Sequence, residues 1–428
     1  MNFRLYQKFI VTLIILVIFI CLLPNLVVAN DPGPSGVQSP AVVLLDSRTG
    51  RVLYERNMLE RRYPASITKA MTTIVVLENA NLNDVVTISS SAISHVRHLH
   101  STADLQVGEE LTVYQLLNMS MLTSANDASY ALAEHVSGNI QAFAELMNEK
   151  AQEIGMRNSN FVNPSGSHEP NQYSTAYDLA LMGKYAMQNH VFREIVSRTS
   201  FVLPPTNKYD EDYRLFTNTN ALLLPDRETR NYFHPYATGI KTGFTTPAGQ
   251  TLLASATRNN FEIITVVMGT ERRPAERDQR FLDTMSLFDY GFENYMHRRL
   301  GNEGEVLYTY RARMGTLTSR TLNMALEEDA YVLINRSAAL DRFPPEIIID
   351  EDLRLPIREG DVVGLAIYHI DGNTYTFNLV ADTDVSSPAW TIVLAIIAII
   401  FSVWLIFKFY RKKGKPQSND IRQRHLNY

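Results

Sequence analysis

Residues 64–69 read Pro64-Ala65-Ser66-Ile67-Thr68-Lys69 and sit where an apolar strand pattern gives way to a helical one. Upstream, residues 41–46 (AVVLLD) and 51–56 (RVLYER) are strand-like runs joined by Ser47-Arg48-Thr49-Gly50, a hairpin composition. Downstream, apolar residues recur at helical spacing from 66 to 77. A helix starting at this junction places Ser66 and Lys69 at i and i+3, on one face. Its N-terminus also supplies free N–H donors and positive potential, suited to a developing oxyanion. A serine hydroxyl is a weak nucleophile and needs a base. A lysine serves as that base only when burial or a neighbouring cation depresses its pKa.

Lysine usage in the chain gives this reading weight. Between residues 30 and 388 there are five lysines (Lys69, Lys150, Lys184, Lys208 and Lys241) and 26 arginines. Arginine does not deprotonate in proteins, so a lysine in an Arg-rich segment marks a place where a titratable amine is wanted. Lys150, Lys184 and Lys208 acquire no role from the sequence and are expected to tolerate Arg.

Further along, helical periodicity runs through 114–121, 128–136 and 141–154. Strand patterns return at 238–243, 250–257 and 261–269, joined by short polar links that imply antiparallel neighbours, and a helix is expected over 276–290. Two strands at the start and three at the end imply one sheet completed by both ends of a domain, 41–295, with a helical insertion between. Residues 296–385 change character. Short β-rich runs at 305–311, 330–335, 362–369 and 375–380, with a turn at Asp371-Gly372-Asn373, read as a separate small all-β domain.

Two further triplets accompany the Ser66-x-x-Lys69 pair. Ser124-Ala125-Asn126 lies between helical segments, and Lys241-Thr242-Gly243 lies on a strand. Singly, each has an ordinary structural explanation: a chain of this length holds about one or two Ser-x-x-Lys by chance, Ser-Ala-Asn suits a helix cap, and Lys-Thr-Gly suits a strand end. The ordered set of three is what carries information.

That set, PASITK, SANDA and GIKTGFT…AG, resembles the active-site motifs of the low-molecular-weight penicillin-binding proteins, the serine D-alanyl-D-alanine carboxypeptidases. Asn163-Pro164…Gly166 and Ser174-Thr175-Ala176…Asp178-Leu179 resemble the same family, and the likeness covers roughly residues 38–380. Ser167 and Gln172 depart from its usual pattern, which bears on substrate fit rather than on the chemistry. The resemblance implies an α+β fold: a penicillin-binding/β-lactamase-like domain, an antiparallel sheet flanked by helices with a helical subdomain, then the small all-β domain and a transmembrane helix. It implies that Ser66 attacks the carbonyl between two terminal D-alanines, that Lys69 takes its proton, and that Ser124 relays a proton to the leaving amine. Asn126 would bind the substrate backbone, Lys241 and Thr242 the terminal carboxylate, and Gly243 would permit close approach. The N–H groups of Ser66 and Phe244 would form the oxyanion hole. Peptidoglycan stem peptides and β-lactams are the implied partners, with no cofactor and no metal. The cluster His95, His98 and His100 lacks carboxylate or cysteine partners at ligand spacing.

Both ends of the chain carry membrane signals. Arg4 and Lys8 precede an apolar run and the small-residue site Val27-Val28-Ala29, so 1–29 reads as a signal peptide and 30–40 as a linker; an uncleaved anchor is the competing reading. Residues 389–407 are uncharged, at about 28 Å long enough to span a bilayer core as a helix in contact with lipid. The basic tail 408–428 follows and is expected in the cytoplasm, with the catalytic domain outside. The whole chain has a net charge of −5, but residues 30–388 alone carry −13, because the tail contributes +6 and the leader +2. An acidic middle without clustered cations excludes nucleic acid as a partner. Two other functions fit the motifs: a β-lactamase, for which no deacylating Glu is identifiable, and a non-catalytic penicillin-binding sensor of peptidoglycan.

Overall fold

The computed structural model describes residues 33–96, 101–210, 213–225, 231–272, 277–314, 318–338, 342–350, 352–385 and 389–413. The segment read as a signal peptide, with His98, His100 and most of the basic tail, lies outside them. The chain divides into two compact units at Asn294/Tyr295.

The first unit is built on a five-stranded antiparallel sheet. Its order is Val52–Arg56, Ala41–Asp46, Phe261–Thr270, Gly249–Arg258 and Ala237–Thr245, so the two ends of the unit complete one sheet. Every residue of Ala41–Asp46 is buried, which is why that strand reads as a continuous apolar run rather than an alternating one. The Asp46 carboxylate then accepts from the N–H of Arg48 (3.3 Å) and Thr49 (3.0 Å), and Gly50 takes φ 77°. These bonds make the hairpin turn that the composition implied. The strand carrying Lys241-Thr242-Gly243 is an edge strand of this sheet.

Helices cover the sheet and form the insertion. Thr68–Asn79 is buried along Thr68–Val76, so it is a central helix whose solvent exposure is confined to its last turn. Around it stand Val113–Leu122, Asn126–Ser137, Ile140–Ile154, Ala176–Ala186 and His190–Ser197. The start of Val113–Leu122 is fixed by a capping box between Thr112 and Gln115, and Gly138 and Gly155 close two helices in the left-handed conformation. One apolar core runs from one face of the sheet (Val43, Leu45, Val266) into the helices (Met71, Leu116, Leu132, Phe192). Each such fully buried side chain contributes about 1.5–3 kcal/mol of transfer free energy. Gln279–Asn294 closes the unit.

Part of the segment read as a linker is packed. Val37 and Ser39 are buried, and the N–H groups of Gln38 and Ser39 donate to the Asp283 carboxylate, at 2.7 Å for Ser39. Pro and Gly set the turns there, but a carboxylate 244 positions away holds them, a partner invisible to local composition.

The second unit contains an antiparallel sheet ordered Val306–Met314, Thr318–Leu326, Asn373–Ala381, Val362–Ile370 and Glu346–Ile349. Tyr295–Gly301 pairs with Ala330–Asn335 beside it. Its own core includes Met324, Leu326, Val332, Ile334, Val363 and Leu379. Asp371 and Gly372 take positive φ, the geometry of a two-residue hairpin turn. Ala389–Lys413 is one helix, six residues longer than the uncharged run, with Val393–Tyr410 exposed throughout.

Candidate active site

Ser66 lies in a 3-10 turn, Ala65–Ile67, that leads directly into the helix Thr68–Asn79. Ala65 sits at φ 49°, a left-handed conformation that costs a residue with a Cβ about 1 kcal/mol or more. Two glycines make room for the turn. A Cβ on Gly166 would fall 1.9 Å from the Ala65 carbonyl oxygen, and one on Gly243 would fall 3.0 Å from the Ser66 nitrogen. The sequence pointed to Gly243 for close approach of the substrate and assigned neither glycine to this turn.

Lys69 is fully buried one helical turn below. Its Nζ lies 3.2 Å from Ser66 Oγ and donates to Asn126 Oδ1 and to the Ser165 carbonyl oxygen, at 2.6 Å each. Burial depresses its pKa well below the lysine range, the nearby Lys241 depresses it further, and Asp127 opposes the shift. A neutral amine has two hydrogens and one lone pair. With both hydrogens on Asn126 and Ser165, the lone pair is left for the Ser66 hydroxyl.

Ser124 sits between the helices Val113–Leu122 and Asn126–Ser137 at φ 65° and is only 7% exposed. Asp127, next in line after Asn126, is buried and accepts from the N–H groups of Ala103 and Leu105, each within 3.1 Å. Its charge therefore ties the 101–105 segment to the second motif.

Lys241 is buried as well, with Nζ donating to the Thr242 carbonyl oxygen at 3.1 Å. Burial first, and then the charge of Arg280, bring its pKa down to about 7. The Arg280 guanidinium donates to the Gly243 carbonyl oxygen at 3.1 Å and pairs with Asp278 at 2.9 Å. Thr242 Oγ1 is 2.6 Å from Thr219 Oγ1. Phe244 is exposed on the same strand, its ring 5.0 Å from the Arg272 guanidinium.

These groups surround one cleft of about 260 Å³, lined by Ser66, Ser124, Asn126, Thr242, Gly243 and Phe244 together with Ser101, Gly166, Ser167, Thr219, Thr245 and Arg280. All eight residues singled out in the sequence are gathered at it. Six line it, while Lys69 and Lys241 lie beneath its surface. Asn126 differs from expectation in one respect, since its carbonyl oxygen is held by Lys69. No carboxylate is among the described residues lining the cleft, and no grouping of His, Cys, Asp and Glu suited to a metal occurs among the described residues. His95 instead stacks on Tyr130, ring centroids 4.9 Å apart.

Sequence reasoning missed Thr219, Arg280, Asp127 and the Ser165 carbonyl. Asp127 had a signal, its place beside Asn126. Arg280 is one arginine among many, and a backbone carbonyl has no signature. Gln172, noted only as a departure, proves to be structural. Its Oε1 accepts from the N–H groups of Val162 (3.0 Å) and Asn163 (2.9 Å) and so holds the loop that carries Ser165.

Comparison with known proteins agrees with this geometry. The sequence profile of the D-alanyl-D-alanine carboxypeptidase family matches residues 28–272. The chain is 31% identical over 349 residues to the D-alanyl-D-alanine carboxypeptidase DacF of Bacillus subtilis, covering 80% of this chain and 85% of that one. It is 30% identical to DacA of Haemophilus influenzae, covering 86% and 92%. The crystal structure of penicillin binding protein 5 from Haemophilus influenzae superposes with a TM-score of 0.67 at 30% identity, over 83% of this chain and 99% of that one. The buried lysine beneath a serine and the likeness along most of the chain lead to one conclusion: this chain belongs to the D-alanyl-D-alanine carboxypeptidase family of serine peptidases.

Proposed function

We propose that this enzyme removes the terminal D-alanine from peptidoglycan stem peptides through an acyl-enzyme on Ser66. The observation that carries the assignment is the buried Lys69 amine 3.2 Å from Ser66 Oγ with its hydrogens held by two acceptors. The substrate's C-terminal segment lies along the edge strand Ala237–Thr245. Lys69 takes the Ser66 proton as Oγ attacks the carbonyl between the two D-alanines. The backbone N–H groups of Ser66 and Phe244 receive the oxyanion. Ser124 passes a proton to the leaving amine, the C–N bond breaks, and water then hydrolyses the ester. Asn126 contacts the substrate backbone, and Thr242 with the cationic pair Lys241 and Arg280 receives the terminal carboxylate. Gly243 lets the strand close on the substrate. A β-lactam presents a similar carbonyl and carboxylate and acylates Ser66 in the same way.

The remaining parts serve placement. Residues 1–29 act as a signal peptide, 41–295 form the peptidase domain and 296–385 a small all-β domain. Residues 389–407 span the membrane, with 408–428 in the cytoplasm and the cleft outside. The uncharged run 389–407 and the cations that follow it support this topology.

Fluorescent penicillin should label the wild-type protein at Ser66, and a peptide ending in D-Ala-D-Ala should release D-alanine. Ser66→Ala should do neither. Labelling elsewhere, or release that survives the substitution, would refute the assignment.

A further inference from the structure

Thr219 belongs to none of the three motifs, yet the structure holds it at the cleft with unusual firmness. It is exposed, between two buried asparagines. Asn218 Nδ2 donates to the Arg198 carbonyl at 2.8 Å, and the Asn218 N–H donates to the Thr199 carbonyl at 2.8 Å. Asn218 Oδ1 accepts from the Asn220 N–H at 2.9 Å, and Asn220 Oδ1 from the Leu222 N–H at 3.2 Å. The Thr219 N–H donates to the carbonyl of Leu122, two residues before Ser124. Burying asparagine is unfavourable unless its polar groups are bonded. Asn218 is bonded through both its amide oxygen and nitrogen, and Asn220 through its oxygen, while Asn220 Nδ2 is left without a partner among the described residues. The two side chains are thus spent on holding the backbone as a frame. The frame points one side chain at the third motif, with Thr219 Oγ1 2.6 Å from Thr242 Oγ1.

We propose that Thr219 is a positioning residue that aims the Thr242 hydroxyl at the substrate's terminal carboxylate, and so sets the preference of the cleft for peptides with a free C-terminus. The inference rests on the reading of the site given above. Each hydroxyl has one hydrogen, and only one of the pair can donate across their 2.6 Å contact. An ionised carboxylate accepts only. Thr242 can therefore donate to it only while accepting from Thr219. With Thr219 as donor, the Thr242 hydrogen is free to turn into the cleft, and the bond behind it strengthens the one in front. The cations Lys241 and Arg280 attract a carboxylate from any direction. The Thr219–Thr242 pair supplies direction.

The test uses Thr219→Val, which keeps shape but removes the donor, and Thr219→Ser, which restores it. Each is assayed on a peptide ending in D-Ala-D-Ala and on an aryl ester of N-acyl-D-alanine, which acylates Ser66 but has no carboxylate. Thr219→Val should raise KM for the peptide about three- to tenfold, the loss of one neutral hydrogen bond, with kcat changed less than about twofold. The ester should be hydrolysed at the wild-type rate, and Thr219→Ser should return the peptide KM to near wild type. Equal losses on both substrates would show a merely structural role and overturn the inference, as would no loss on either or failure of Thr219→Ser to rescue. If wild-type protein neither labels at Ser66 nor releases D-alanine, the reading of the site falls, and this inference with it. Labelled wild type with an unchanged peptide KM in Thr219→Val removes the Thr219 role alone.

Discussion

The Lys69 amine donates to the carbonyl oxygen of Ser165 at 2.6 Å, across 96 positions of sequence. That bond makes a backbone loop part of the general base. The loop is itself pinned, because Asn163 Oδ1 accepts from the N–H groups of Ser165 (3.2 Å) and Gly166 (2.8 Å). The placement of the Lys69 amine therefore depends on a segment to which no catalytic side chain is assigned.

Lys69→Arg should abolish acylation. A guanidinium stays protonated and has no lone pair to offer, so labelling by fluorescent penicillin should slow by about 10²–10⁴ or more. Lys150→Arg should label at the wild-type rate. Lys150 bridges Glu78 at 2.7 Å and Glu153 at 2.5 Å near the surface, a task Arg performs equally well. Labelling kinetics of the two variants side by side make the check.

Gln172→Ala should destabilise the catalytic unit by about 1–3 kcal/mol, because the buried N–H of Asn163 and the half-buried N–H of Val162 lose their acceptor. Urea unfolding measures the loss. Acylation should slow as well, through the loosened Ser165 carbonyl.

Gly166→Ala places a methyl 1.9 Å from the Ala65 oxygen at a residue with φ 82°. Both effects disfavour it, and a loss of about 2–3 kcal/mol is expected. Because the displaced atom neighbours Ser66, labelling should fall by more than the population of unfolded protein accounts for. Comparing thermal unfolding with labelling separates the two.

The Lys241 pKa of about 7 has a consequence for stability. Between about pH 7 and the ordinary lysine value of 10.5, the unfolded chain holds a proton on this residue that the folded protein does not. Raising the pH through that window therefore favours folding. The stability of wild type relative to Lys241→Met should increase from pH 7 toward pH 10, as read from paired denaturant titrations. A difference that is flat or falls with pH would contradict the depressed value. In turnover, the same titration should weaken peptide binding above about pH 7, as the charge facing the carboxylate is lost.

Much of this protein is determined locally, and local features are legible. Ser66 and Lys69 share a helix face because they are three residues apart. The strand Ala41–Asp46 reads as buried because every position in it is apolar up to the Asp46 that makes the turn. Asp371-Gly372 reads as a turn because few other pairs accept positive φ. The sequence also singled out the three motifs and the reason one of their residues must be a lysine. Only the tertiary structure decided how deeply Lys69 is buried, that the charge of Lys241 reaches it, and that the Ser165 carbonyl accepts from its amine, since these arrive from separate parts of the chain. It likewise decided that Thr219 meets Thr242, that Arg280 lies beside Gly243, and that Asp283 fastens Ser39. Hydrogen bonds and electric fields act through space over a few ångströms. Periodicity and motif spacing report only what lies within a few turns or strands along the chain.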